Sequence, residues 1–159
     1  MAEAPPDFLE GVRAFQNHDT WQASRTRFLH AWLAGSDNAA VKRHIRDEMG
    51  GFGFDVWARA GRVIETAYRA WGSPMERMLR LAEPRPVRHV FNGAAGSEDE
   101  LLHERFHQEH PWFTYRRLDG KTHFPALELP EQVAGELHGL LAAPEPRPEN
   151  QMRARTGRC

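Results

Sequence analysis

Cysteine is almost absent from this chain of 159 residues, since its one cysteine is the last residue, Cys159. A single cysteine cannot form an intramolecular disulfide, which is typical of proteins from a reducing compartment. The chain also contains no C-x-x-C motif and no H-E-x-x-H motif. We therefore expect no metal site of the common zinc types and no metal cofactor.

Long apolar runs and an excess of either charge are missing as well. No stretch approaches the length of about 20 apolar residues that crosses a membrane, and no signal peptide is visible. The formal net charge is −1, which argues against a surface that binds nucleic acid. We therefore expect a cytoplasmic protein that binds neither membrane nor nucleic acid, and the length suits one domain with a core.

Strand-forming segments are missing from the first half of the chain, which instead shows helical spacing of apolar residues. In the longest of these segments, apolar side chains recur every three or four residues between Val56 and Trp71. Capping residues and glycines predict the helix ends. The predicted helices cover residues 7–15, 21–33, 38–49, 54–71 and 74–81. Residues 1–83 are therefore predicted to form a helical region, either a bundle of its own or a cap over another layer.

The pattern changes at the Pro-Arg-Pro segment of residues 84–86. Two short β-prone segments follow, and each precedes a helix, the first with Leu101, Leu102 and Phe106 on its inner face. This order predicts a parallel sheet, and two parallel strands alone are marginally stable. Residues 84–143 are therefore predicted to be the end of a larger α/β sheet. The predicted elements are strands at 87–91 and 113–118 and helices at 98–110 and 130–141.

The end of the chain, residues 144–159, combines prolines with an arginine-rich terminus. This composition offers no apolar spacing from which a core could form. We predict a disordered tail that does not contribute to a functional site.

The segment that most strongly suggests chemistry is Gly120-Lys121-Thr122-His123-Phe124-Pro125, between the second predicted strand and the last helix. Pro125 fixes its own φ and favours an extended Phe124, so that His123 lies on a stiffened loop. Loops after the carboxyl ends of strands often carry function in α/β proteins. An imidazole, with an ordinary pKa of about 6.5, suits a general base near neutral pH. The alternative is a solvated surface histidine, and spacing alone does not decide between the two.

Five sequence blocks recur in the same order in a known enzyme family. They are Gly61–Glu65, Gly72–Met75, Arg85–Phe91, Glu109–Phe113 and Thr122–Ala126. In these blocks, from about Ala4 to Leu141, the chain resembles the cofactor-independent 2,4-dioxygenases of 3-hydroxy-4-quinolones, the 3-hydroxy-4-oxoquinaldine enzyme among them. The resemblance implies a partial α/β-hydrolase fold, its C-terminal half, with a helical cap followed by the last two parallel strands and their helices.

The resemblance also implies a reaction and a set of site residues. The family opens the ring of an N-heteroaromatic substrate with O2 and releases carbon monoxide, without metal or flavin. A histidine supported by an aspartate takes the proton of the 3-hydroxyl group, and by position His123 is this base. Trp32 corresponds to a tryptophan that lies against the bicyclic substrate, and Trp57 and Met49 correspond to other positions of the pocket wall. Helical spacing is equally typical of core packing, which we favour for Trp57 and Met49.

The chain departs from the family because it lacks the nucleophile elbow G-x-S-x-G. The oxyanion-type donors and the aspartate that supports the histidine are expected in the missing half, since Asp119 and Glu128 lie too near in sequence to reach back to His123. We therefore expect a truncated or split form that is inactive alone. It is also expected to fold poorly, self-associate or bind a complementary N-terminal half, because its sheet edge and cap would face water.

Two other interpretations stay open at this point. The chain can be a fragment of an ordinary α/β hydrolase of esters or related bonds, in which His123 serves a serine or aspartate nucleophile. It can also be a non-catalytic interaction module that folds only on a complementary half. Composition does not separate these possibilities.

Overall fold

The computed structural model describes residues 6–142, and its first half is helical. The third helix continues directly into a π-helical segment, His44–Met49. No helix within the described range is both long and apolar enough to cross a membrane. The helices of this half are α1 (Pro6–Ala14), α2 (Trp21–Leu33), α3 (Ala39–Arg43), α4 (Phe54–Trp71) and α5 (Pro74–Met78).

The second half alternates strands and helices. The two strands pair in parallel, with Val87 opposite Phe113 at one end and Asn92 opposite Leu118 at the other. This arrangement confirms the predicted α/β class with a parallel sheet, and the predicted tail at 144–159 lies outside the described residues. The elements are β1 (Val87–Asn92), α6 (Glu98–Glu109), β2 (Phe113–Leu118), α7 (Pro125–Glu128) and α8 (Pro130–Ala142).

Side-chain caps set several of the helix ends that the sequence predicted. The Asn38 side chain accepts hydrogen bonds from the N–H groups of Ala40 and Val41 at the start of α3. Ser73 and Glu76 form the predicted capping box at the start of α5. Each cap satisfies N–H groups that have no partner within their own helix.

The core of the helical half lies where α1 crosses α4. Val12 of α1 and Phe15, the residue after α1, are buried there with Trp57 of α4, and the rings of Phe15 and Trp57 are 4.9 Å apart. Gly61 permits this close approach, because a Cβ at that position would lie 2.6 Å from the carbonyl oxygen of Val12. The block Gly61–Glu65 therefore contains, at Gly61, the point where α1 and α4 approach each other closely.

Two predicted inner faces are wrong in part. Leu101 was expected on the inner face of α6, but 55% of it is exposed, whereas Phe106 is buried. Phe106 comes five positions after Leu101, which places the two about 140° apart around the helix. Similarly, Val63 and Trp71 of α4 are 63% and 53% exposed, because α1 and α2 cover only part of the predicted apolar stripe.

Tyr115 of β2 fastens α6 to the sheet. Its hydroxyl donates a hydrogen bond of 2.6 Å to the carboxylate of Glu104. This bond to Glu104, with desolvation added, raises the pKa of Tyr115 to about 12. The folded structure therefore stabilises the protonated, neutral form of the Tyr115 phenol. The contribution of Tyr115 to stability is therefore complete below its ordinary pKa near 10 and is lost as the pH rises toward 12.

We expect this raised pKa to be visible in the ultraviolet absorbance of the phenolate. The chain has two tyrosines, and a Tyr68→Phe background leaves Tyr115 as the only phenol. At pH 10.5 to 11 its phenol should remain mostly protonated, and Glu104→Gln should move the midpoint down toward 10. An unchanged midpoint in Glu104→Gln would show that this hydrogen bond does not control the titration. The same variant in urea gives the unfolded reference.

Candidate active site

The loop that carries His123 lies at the carboxyl edge of the sheet, directly after β2. Asn92, the last residue of β1, reaches across to it and donates hydrogen bonds to the Thr122 carbonyl (2.9 Å) and to a Glu128 carboxylate oxygen (3.0 Å). Gly120 allows this approach, because a Cβ there would lie 2.4 Å from the Asn92 amide. The ends of both strands are thus tied to one loop, at the edge where α/β proteins place their sites.

Glu128, at the end of α7, accepts hydrogen bonds from the loop itself. The donors are the N–H groups of Lys121 (3.0 Å) and Thr122 (2.8 Å) and the Thr122 hydroxyl (2.8 Å). Burial disfavours the ionised carboxylate, but the hydrogen bonds from Thr122 and Lys121 outweigh it, and the net result is a lowered pKa for Glu128. These contacts engage the backbone beside His123 rather than its ring.

His123 joins the loop to the helical half. Its N–H donates a hydrogen bond of 2.8 Å to the carbonyl of Trp32, one of the last carbonyls of α2, which have no partner within that helix. The imidazole also stacks on the Trp32 indole, with centroids 5.3 Å apart and planes 15° from parallel. Phe124 packs edge-on against the imidazole at 5.6 Å. The expected tryptophan and histidine therefore do lie side by side.

The His123 ring is in contact with aromatic groups on one side and reaches solvent on the other. Desolvation by this packing lowers the pKa of His123 below its ordinary value. The neutral form, which is able to accept a proton, is therefore favoured at neutral pH. Between residues 6 and 142, no carboxylate contributes to this shift, so the aspartate-like partner expected of a base in this family is not among them.

The other predicted pocket residues divide into two environments. Trp57 lies 6.2 Å from the Trp32 ring and continues the stack into the core, where only 4% of it is exposed. Met49 is half-buried at the end of the π-helical segment. The beginning of that segment is nearer the loop, since His44 packs edge-on against Phe124 at 5.1 Å.

Two residues of the site were missed by reasoning from the sequence. Asn92 carried a usable signal, because a polar residue that ends a predicted strand stands at the functional edge of a parallel sheet. Glu128 lies too near His123 in sequence to be expected as a partner for its ring, and the sequence indicates no other role for it. Helix α7 has only four residues and begins at Pro125. Glu128 at its end is therefore close enough for its carboxylate to contact the loop.

The chain is closely similar to quinolone dioxygenases. It is 52% identical over 142 residues to the 2-heptyl-3-hydroxy-4(1H)-quinolone dioxygenase of Mycobacteroides abscessus, covering 89% of this chain and 53% of that protein. It is 36% identical over 143 residues to the 1H-3-hydroxy-4-oxoquinoline 2,4-dioxygenase of Pseudomonas putida, covering 90% of this chain and 54% of that protein. No model of a protein family matches the chain.

Solved structures show the same relationship. An AqdC variant in complex with its substrate, described as recognising and cleaving the ring of the Pseudomonas quinolone signal, superposes with a TM-score of 0.84 at 51% identity. It covers 89% of this chain and 53% of its own. The 1H-3-hydroxy-4-oxoquinoline 2,4-dioxygenase gives a TM-score of 0.84 at 35% identity, with 89% and 54% covered. The predicted resemblance is therefore confirmed, and the chain spans about half the length of the relatives it matches.

Proposed function

We propose that this chain is the base-bearing half of a cofactor-independent 3-hydroxy-4-quinolone 2,4-dioxygenase. Residues 1–83 would form its helical cap and residues 84–143 the C-terminal part of its core. The observation that carries the proposal is the position of His123, stacked on Trp32 with a lowered pKa, in a chain 52% identical to a quinolone dioxygenase.

The proposed reaction begins when the 3-hydroxyl of the quinolone transfers its proton to the His123 imidazole. The electron-rich anion of the ring then reacts with O2, the ring opens, and carbon monoxide leaves. In this step His123 acts as a general base, which requires the neutral imidazole that desolvation favours. A carboxylate that orients the imidazole and stabilises the imidazolium, as the aspartate of a catalytic triad does, would come from the remaining half of the enzyme.

Exposed apolar surface supports the proposal that another half completes the fold. Val63 and Trp71 line a shallow groove on α4, and Trp71 continues it toward Leu81. Arg62, Arg77 and Arg80 also line this surface, and large apolar side chains exposed within a polar rim are found at protein–protein contacts. The occupant we propose is the N-terminal half of the α/β fold, since about half of each relative has no counterpart in this chain.

Two buried polar atoms at the site support the same proposal. Among residues 6–142, four buried side-chain atoms have no hydrogen-bond partner, and two of them, the Trp57 indole nitrogen and the Asn92 amide oxygen, belong to residues discussed above for the site. Such an atom costs about 1–3 kcal/mol when it stays unpaired, which is why buried polar groups in complete folds are generally satisfied. Groups contributed by the other half, or by the substrate, would satisfy them.

The test is reconstitution with a separately produced N-terminal half of the Mycobacteroides abscessus relative. We expect a 1:1 complex that consumes O2 and releases an equal amount of carbon monoxide when 2-heptyl-3-hydroxy-4-quinolone is added, whereas neither half does so alone. A 1:1 complex that hydrolyses p-nitrophenyl esters without quinolone-dependent O2 uptake would instead identify an ester hydrolase. A complex without either activity would contradict both proposals.

A further inference from the structure

The Glu128 carboxylate accepts hydrogen bonds from the polar groups of the two residues that precede His123, and from Asn92. An oxygen of Glu128 accepts from two consecutive backbone N–H groups, those of Lys121 and Thr122, and from the Thr122 hydroxyl and the Asn92 amide. Two successive N–H groups directed at one anion form a small backbone nest, which holds its residues in a defined conformation. Only 2% of Thr122 is exposed, so the arrangement lies within the fold rather than on its surface.

We infer that Glu128 is a positioning residue for His123, which it places against Trp32 by fixing the backbone of the two preceding residues. The inference rests on the proposed function insofar as it concerns catalysis. Its structural part concerns the loop alone.

Glu128 influences the position of His123 through hydrogen bonds of the loop backbone. Thr122 donates its N–H to Glu128, and its carbonyl accepts from Asn92, so both sides of this residue are held. The next N–H, that of His123, is then directed at the carbonyl of Trp32. Desolvation lowers the pKa of the imidazole without a contribution from the Glu128 charge, so we place the effect of Glu128 in the conformation of the loop.

Removal of the carboxylate is expected to release the imidazole from the indole. In Glu128→Ala, the pKa of His123 should rise from its lowered value toward about 6.5, the value of a free histidine. An NMR titration of the histidine-labelled protein measures this pKa. In the reconstituted enzyme, kcat should fall about 10- to 100-fold, the scale on which a misplaced catalytic group slows a reaction, while KM changes by less than about 2-fold. Glu128→Gln, which keeps acceptor oxygen and shape, should recover most of both properties.

Glu131→Ala is the matched control, because Glu131 is an exposed glutamate at the start of α8. It should leave the His123 titration and kcat unchanged. An unaltered His123 titration in Glu128→Ala, with a lowered melting temperature as the only effect, would overturn the inference and leave Glu128 a structural residue of α7.

A second variant covers the case in which Glu128→Ala does not fold. Thr122→Val keeps the side-chain shape and removes one of the four donors to Glu128, so the His123 pKa should shift in the same direction by a smaller amount. No shift in this folded variant would count against the inference. The titration needs no turnover, and its result therefore stands even when reconstitution yields no dioxygenase.

Discussion

Replacement of His123 by alanine in the reconstituted enzyme should lower quinolone-dependent O2 uptake about 10²- to 10⁴-fold, the usual contribution of a general base. The imidazole stacks on Trp32, its neutral form is favoured, and its side chain is the one we propose to take the 3-hydroxyl proton. The loss of activity should appear in kcat, because a general base stabilises the transition state and not the bound substrate. Assembly of the two halves should remain 1:1.

His138→Ala is the control for this experiment, since His138 is exposed on α8, the helix that comes after α7. Its kcat should equal that of the unaltered chain. If His123→Ala retained more than about a tenth of the activity, His123 would be a packing residue of the loop, and the base would have to be sought elsewhere.

Replacement of Trp57 by alanine should destabilise the chain by about 3–5 kcal/mol, the usual cost of removing a buried tryptophan. Trp57 packs on Phe15 at 4.9 Å and on Trp32 at 6.2 Å, at the crossing of α1 and α4. Because small domains are stable by only about 5–15 kcal/mol, this loss should remove a large share of the free energy of unfolding. Urea unfolding, with and without the complementary half, measures it.

Trp71→Ala provides the comparison, because Trp71 belongs to the same helix and 53% of it is exposed. Its effect on the isolated chain should stay within about 1 kcal/mol, as is usual for surface substitutions. If instead Trp57→Ala left stability intact and raised only the KM for the quinolone, Trp57 would be assigned to the pocket wall rather than to the core.

The ends of the longest helices could be predicted from the sequence because local chemistry determines them. Gly72 follows α4 with a φ of 75°, a conformation that glycine adopts readily, and the capping box of Ser73 and Glu76 begins the next helix. The exposure of Leu101 and Val63 could not be predicted in this way. Periodicity identifies an apolar stripe, but which part is covered depends on neighbouring elements that spacing does not reveal.

The site was predictable only in part, for a related reason. A histidine before Phe-Pro on a loop after a strand indicated His123, and resemblance to a family indicated Trp32. The bond between the His123 N–H and the Trp32 carbonyl involves backbone atoms, which every residue has, and no residue type indicates it. Glu128 was missed because proximity along the chain was judged against the imidazole, whereas its partners are the N–H groups of Lys121 and Thr122.

The hydrogen bond from His123 to Trp32 also bears on the order of folding, since it joins residues roughly 90 positions apart. Closing a flexible loop of that length costs about 4 kcal/mol in chain entropy, whereas one hydrogen bond returns about 0.5–1.5 kcal/mol. We therefore expect this contact not to nucleate folding and to form only after the helices and the sheet have brought its ends together. Packing of His123 against Trp32 should be among the last kinetic events, so a partly folded chain would contain His123 without this neighbour.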